Sequence, residues 1–205
     1  MVGLKDFSQE LGAAVILQSG GSRKGVETMF VAPGWDGQLY LCETPPGPPP
    51  SARCLEVRPV PYRVARAFVE RHHYLGYAPP GARACLGVWY GDRLVGVLMF
   101  GRPSARLEDQ EHTVELTRMV LLDECPRNSE SRALALAAKW IRGNMPEIRR
   151  LIAYADPSRG HRGTVYLAAG WKFVGRTAGG RWARPGRPRR DASTVPKLKF
   201  EKVFD

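Results

Sequence analysis

Residues 115 to 142 of this 205-residue chain set three elements in a row that few folds accommodate. Glu115 to Leu122 is an apolar run of strand length. "RALALAAKWI" after it places Leu134, Ala137, Ala138 and Ile141 on one face of a helix. Between them lies "DECPRNSES", a turn crowded with polar and charged side chains. A strand running straight into a helix N-terminus brings backbone N–H groups and the positive end of the helix dipole to one point, a ready anion site. Asn128, Ser129 and Ser131 can cap the helix or hydrogen-bond a phosphate, and Arg127 and Arg132 add charge that Glu130 opposes. An ordinary capped helix with flanking charges is the competing reading of the same residues.

The remaining elements place this unit in a larger sheet. "LEVRPV" reads as a strand, and "YRVARAFVERHHY" as a helix opened by Pro61 with Val64, Phe68 and His72 on one face. "ACLGVWY" and "RLVGVLMFG" form a hairpin around Gly91-Asp92. "RLIAYAD" is a buried strand, "HRGTVYLAAG" a short helix ended by Gly170, and "WKFVGR" a strand. Strands and helices in this order predict an α/β fold with a mixed central sheet flanked by helices.

Two segments stand apart. Residues 1 to 53 hold short strand-like runs, "AAVILQ", "ETMFVA" and "GQLYLCE", followed by "TPPGPPPSA", whose five prolines in nine residues exclude a helix or a central strand. This predicts a small β-rich extension and a stiff linker ahead of a core at 54 to 176. The last segment, 177 to 205, is rich in glycine, proline and arginine, and its end, "TVPKLKFEKVF", reads as an extended segment added to the sheet.

A hydrophobic fraction of 43% supports a real core. No apolar run is long enough to span a membrane, and Leu11 to Leu17 is too short and too acidic in its flank for a signal peptide, so a cytoplasmic protein is expected. The four cysteines contain no CxxC pair, which argues against a disulfide framework or zinc knuckle and for small buried hydrophobes. The formal net charge is +11, and Arg176 to Asp205 carries nine Lys/Arg against three Asp/Glu. Clustered positive charge points to a polyanionic partner, with Arg181, Arg184, Arg187, Arg189 and Arg190 as candidate phosphate contacts.

Further residues invite chemistry. Asp156 ends the strand "RLIAYA", where its carboxylate can project into a cleft at the sheet edge, or can simply cap the turn "PSRG". Tyr166, one turn before Gly170, is either a core aromatic or a proton donor to a leaving group. His72, His73, Tyr74 and Tyr77 sit between a helix and a Gly/Pro loop, placed for metal ligation, base stacking or plain structure. Arg118 interrupts "VELTRMVLL"; strict alternation puts it on one face with Leu116 and Val120, in a filled or functional space where Asp156 is a plausible partner.

These residues resemble a known family. The strand–turn–helix at 115 to 142 and the tyrosine–glycine–aromatic ending at 166 to 171 look like the GNAT superfamily of N-acetyltransferases. "HHYLG", "ELTRMVLLDECPRNSESR" and "AYADPSRGHRGTVYLAAGW" are similar, over about residues 57 to 176, to the Mom DNA-modification proteins of phages. The superfamily resemblance implies that the 115 to 142 unit grips the pyrophosphate of acetyl-CoA and that Tyr166 protonates the departing group. The Mom resemblance implies an enzyme that converts adenine in double-stranded DNA to a carbamoylmethyl derivative at its exocyclic amine, protecting phage DNA from restriction. It singles out Tyr74, Arg118, Ser129, Asp156 and Tyr166 and, through an iron requirement proposed for such proteins, His73 beside Tyr74 as a metal site.

One departure from the superfamily is plain. Its donor-binding turn is glycine-rich, whereas this chain reads "CPRNSESRA", and side chains keep a backbone from approaching a pyrophosphate closely. A carbamoylmethyl group also differs from an acetyl group, which attaches through its carbonyl. The expected cofactor is therefore acetyl-CoA or another acyl or glycyl donor, with iron as the family's addition. Two rival functions stay open: an ordinary acetyl-CoA-dependent N-acetyltransferase of a protein or small amine, and a nucleic-acid-binding protein without activity. Residues 1 to 53 are left to complete the sheet, contact DNA or mediate a homodimer.

Overall fold

The computed structural model describes residues 14–15, 29–33, 39–42, 48–179 and 195–204. Two sheets account for its strands. The first is a three-stranded antiparallel ribbon of β1 (Ala14–Val15), β2 (Met29–Pro33) and β3 (Leu39–Cys42), formed from the three short runs of the N-terminal segment.

The second sheet has seven strands: β4 (Glu56–Pro59), β5 (Ala82–Tyr90), β6 (Arg93–Gly101), β7 (Thr113–Leu121), β8 (Arg150–Ala155), β9 (Lys172–Arg176) and β10 (Leu198–Val203). Their order is β4-β5-β6-β7-β8-β10-β9, antiparallel throughout except between β7 and β8. The parallel pair is the consequence of the strand–turn–helix unit: a helix must carry the chain back before the second strand can run the same way. The extended C-terminal segment enters as β10, between β8 and β9.

Helices cover both faces. α1 (Tyr62–His72) starts at Pro61, whose fixed φ of −58° suits a helix entry. Its Ala65, Phe68 and Val69 pack with Cys85, Val97 and Met99 on one face of the sheet. α2 (Ser129–Asn144) and α3 (Thr164–Ala168) cover the other. Ala133, Leu134, Ala137, Ala138 and Ile141 of α2 join Leu86, Leu98, Phe100, Leu116 and Ala153 there. From Val97 to Phe100 in β6, successive residues go to opposite layers, as a pleated strand requires. Leu86 and Leu98 reach the α2 layer, and Cys85 and Val97 the α1 layer.

That alternation breaks in β7. Phe100 pairs with Leu116 but Met99 pairs with Arg118, so Thr117 is an extra residue, a β-bulge closed by its Oγ1 donating to the Met99 carbonyl at 3.0 Å. Leu116 therefore faces the α2 layer while Arg118 and Val120 belong to the α1 side. The expectation that Leu116, Arg118 and Val120 share a face is corrected: one inserted residue reverses the pleat between them.

Candidate active site

β7 and β8 run side by side only from Thr113–Arg150 to Leu116–Ala153. Beyond that, β7 continues to Leu121 on β6 and β8 continues to Ala155 on β10. Two parallel strands that part at their carboxyl ends leave a cleft, and the chain segments leaving those ends line it. The turn into α2 leaves β7, and Asp156 leaves β8.

The turn into α2 solves its lack of glycine with Asn128. This residue has φ +72°, the left-handed region, and among the described residues no other non-glycine has a positive φ. Asparagine tolerates that conformation better than most side chains. The Asn128 side chain makes no cap on α2, and the neighbouring serine hydroxyls are engaged in the turn itself. Ser129, fully buried, donates to the Pro126 carbonyl at 2.6 Å, and Ser131 donates to the Asn128 carbonyl at 3.0 Å. The serines brace the turn, Arg127 and Asn128 are exposed beside it, and the positive end of α2 faces outward.

Asp156 does cap the turn that follows it. Its Oδ1 accepts from the Ser158 N–H at 3.0 Å and the Ser158 hydroxyl at 2.5 Å, and its carbonyl accepts from the N–H groups of Arg159 and His161. That compact turn aims two side chains at Tyr74: Arg159 lies over its ring at 5.5 Å, and His161 is tilted against it at 5.7 Å. Neither was singled out from the sequence; only the tight Asp-Pro-Ser-Arg-Gly turn hinted that they return to the strand end. Tyr74 is 56% exposed and stacks on His73 at 4.4 Å.

Tyr166 lies beneath. It is 9% exposed, stacked on Phe200 at 5.0 Å and tilted against Trp171 at 5.6 Å. Burial, with a smaller contribution from Tyr74, pushes its phenol up to about 12, so it holds its proton at neutral pH. Arg118 is 8% exposed; its Nε donates to the Tyr77 carbonyl at 3.1 Å, its Nη1 to the Thr117 carbonyl at 2.6 Å, and its guanidinium lies over the Tyr77 ring at 4.6 Å. The bulge at Thr117 turns Arg118 toward this loop.

His73 joins the two halves. Burial, then the charge of Arg118, then His161, hold its imidazole down at about 4. Its Nδ1 accepts the Leu75 N–H at 3.1 Å, which places the ring proton on Nε2. The iron site implied for His73 is not built by these residues. Among the described residues no three His, Cys, Asp or Glu side chains come together, the Nδ1 of His73 is engaged, and the adjacent His72 turns away onto Phe68 at 4.7 Å.

The depressed His73 makes a pH prediction. In the unfolded chain an imidazole takes its proton near pH 6.5, whereas the folded protein resists until about pH 4. The unfolded state therefore binds more protons across that window, and folded stability drops as pH falls from about 6.5 to 4. Denaturant titrations across this range are expected to show a shallower decline for His73→Gln than for the unaltered protein. Equal slopes would mean that His73 does not carry the effect.

His73, Tyr74 and His161 are thus neighbours, with the charge of Arg118 felt at His73 and Tyr74 felt at Tyr166, and Asp156 caps the turn that carries His161; Arg127, Asn128, Ser129 and Ser131 lie at the turn from β7 into α2. Arg181, Arg184, Arg187, Arg189 and Arg190 lie outside the described residues. Among the described residues no helix is long and apolar enough to cross a membrane.

Comparison with known proteins gives this arrangement a context. A model of the Mom protein family matches residues 54–194. The chain is similar to the methylcarbamoylase mom of Escherichia phage Mu, 36% identical over 129 residues, a match covering 59% of this chain and 54% of that protein. The chain thus spans about half the length of that curated relative. Among solved structures, AAC(6')-Ib in complex with acetyl-CoA aligns with a TM-score of 0.53 at 9% identity, covering 73% of this chain and 93% of that one. A GNAT-family acetyltransferase from Streptococcus pneumoniae aligns at 0.51 and 16% identity, covering 73% and 99%. At such identities the likeness speaks of the fold, which is that of GNAT acetyltransferases, with β7 and β8 as its parting strands.

Proposed function

This chain belongs to the Mom protein family, and on that premise we propose that it is a transferase that modifies adenine in double-stranded DNA, placing a carbamoylmethyl group on the exocyclic amine and shielding phage DNA in the host cytoplasm from restriction. The observation that supports this reading is the parting of β7 and β8 beyond Leu116 and Ala153, with the turn into α2 leaving one strand and Asp156 leaving the other. The similarity to the phage Mu methylcarbamoylase supports the transferred group.

In this reading the donor's anionic part sits at the N-terminus of α2, held by backbone N–H groups and Arg127, with Asn128 supplying the backbone bend and Ser129 and Ser131 holding it. The donor carries a carbamoylmethyl group on a leaving carrier; acetyl-CoA, which transfers through its carbonyl, would give only N-acetyladenine. The adenine leaves the base stack so that its amine reaches the cleft, and Tyr74 offers an aromatic face to stack on. The amine nitrogen bonds to the methylene carbon of the donor's carbamoylmethyl group as the bond from that carbon to its carrier breaks, Asp156 accepts the amine proton, and Tyr166 gives its proton to the departing carrier. Arg118, fixed on Tyr77, stabilises negative charge developing on the transferred group. Residues 54 to 176 form the catalytic core, with β10 contributed to its sheet from the last segment. The arginines of 177 to 190 hold phosphates without reading sequence.

Asp156→Asn tests the carboxylate. It keeps an Oδ1 acceptor for Ser158 but cannot take a proton. DNA from cells making this variant as soluble protein is expected to lack the modified deoxyadenosine. Full modification by the variant would remove Asp156 from proton transfer.

A further inference from the structure

The turn that leaves the carboxyl end of β8, residues 156–163, carries charge that the proposed chemistry does not use. From Pro157 to Arg176 the chain holds Arg159, Arg162, Lys172 and Arg176 and neither Asp nor Glu. Arg159, His161 and Arg162 are exposed. Among the described residues no hydrogen bond or ion pair engages the guanidinium of Arg159 or Arg162. Exposed arginines elsewhere are answered by carboxylates, Arg58 by Glu56 at 3.2 Å and Arg66 by Glu70 at 2.8 Å. The acid at the start of this turn, Asp156, gives its Oδ1 to the N–H and hydroxyl of Ser158.

The turn holds its cations in place. Asp156 caps its start, Gly160 bends it at φ +78°, and Gly163 at φ +79° ends it against the Phe200 ring, which leaves no room for a Cβ. Side chains presented by a fixed backbone lose less freedom on binding than those of a loose one. The place is also specific. β8 has already parted from β7 where the turn begins, and the turn sets Arg159 over the exposed Tyr74 ring at 5.5 Å with His161 tilted against that ring at 5.7 Å. A cation over an aromatic face is held by the ring's quadrupole, and the five N–H donors of a guanidinium form a planar fork that matches phosphate oxygens.

Cations alone suit any polyanion, an acidic peptide included. The exposed ring among them favours a nucleic acid, which offers phosphates and flat bases side by side. We propose that Arg159 and Arg162 clamp the DNA backbone beside the target adenosine while its base lies on Tyr74, so that the turn after β8 is the phosphate-binding edge of the cleft. The inference rests on the DNA-modifying reading and gives it a contact that holds the extruded nucleotide's own strand at the site of chemistry.

The test measures binding of the full chain to an adenine-containing duplex over a range of salt concentrations. Each phosphate contact adds about 0.9 to the slope of log affinity against log salt. Arg159→Gln with Arg162→Gln is expected to lower that slope by about 1.5–2 and to weaken binding about tenfold or more near physiological salt, with an unchanged melting temperature. Arg159→Lys with Arg162→Lys should restore the slope. Arg63→Gln, which removes an equally exposed charge at the opposite end of α1 from His73, should change the slope by less than about 0.3. An unchanged slope in the glutamine pair overturns the clamp, as does an equal fall in Arg63→Gln, which would make the effect one of net charge alone. Poly-glutamate that displaces the duplex at equal charge concentration would assign the patch to an acidic protein and also overturn it. An unaltered protein that neither binds duplex nor leaves modified deoxyadenosine in cells would sink the DNA-modifying reading itself.

Discussion

Replacing Gly163 with alanine is expected to cost about 2–5 kcal/mol of stability, the sum of left-handed backbone strain and overpacking. Gly163 has φ +79°, and a Cβ there would meet the Phe200 ring at 2.1 and 2.3 Å. The ring cannot swing clear. Phe200 is 1% exposed, lies in β10 between β8 and β9, stacks on Tyr166 and touches Phe173 at 5.6 Å. For a chain of this size such a loss lowers the melting temperature by roughly 5–15 °C. Because the displaced ring supports Tyr166, activity should fall even where the variant remains folded. Gly160 provides the comparison: its φ of +78° is nearly the same, but a Cβ there meets nothing within 4 Å. Gly160→Ala should therefore cost only the strain, about 1 kcal/mol. Equal melting temperatures for the two variants would show that the Phe200 contact is not what demands glycine at 163.

Tyr166→Phe is expected to lower turnover by about 10²- to 10⁴-fold, the usual contribution of a positioned proton donor, while leaving the melting temperature close to that of the parent. The ring supplies the packing against Phe200 and Trp171 and is unchanged by the substitution. Only the hydroxyl is lost, the group that the proposed function uses as proton donor, and burial keeps it protonated. The expected signature is a fall in kcat with DNA binding unaltered. A variant that turns over at the parental rate would leave Tyr166 as a core aromatic and nothing more.

Both predictions depend on contacts that the amino-acid sequence shows only in part. The strand and helix order was readable because apolar periodicity records which face of each element is buried. The strand–turn–helix unit and the Asp156 turn were readable because Asn, Ser, Asp and Pro mark chain reversals by local chemistry. The orientation of Arg118 was not. A β-bulge arises from the fit of two strands, and nothing in "VELTRMVLL" marks Thr117 as the extra residue. The roles of Ser129 and Ser131 were hidden for a similar reason: a hydroxyl beside a helix start can face a ligand or its own backbone, and only the left-handed turn at Asn128 decides. Arg159 and His161 meet Tyr74 across a sequence separation that periodicity cannot bridge. The approach of Phe200 to Gly163 likewise exists only because β10 enters the middle of the sheet.

The most direct measurement is nucleoside mass spectrometry on plasmid DNA from cells producing this protein, beside DNA from cells producing Asp156→Asn. The account predicts a deoxyadenosine heavier by one carbamoylmethyl group in the first sample and none in the second. Unmodified DNA from cells rich in soluble protein, joined by acetylation of a protein or small amine, would contradict it and assign the cleft to ordinary N-acetyl transfer.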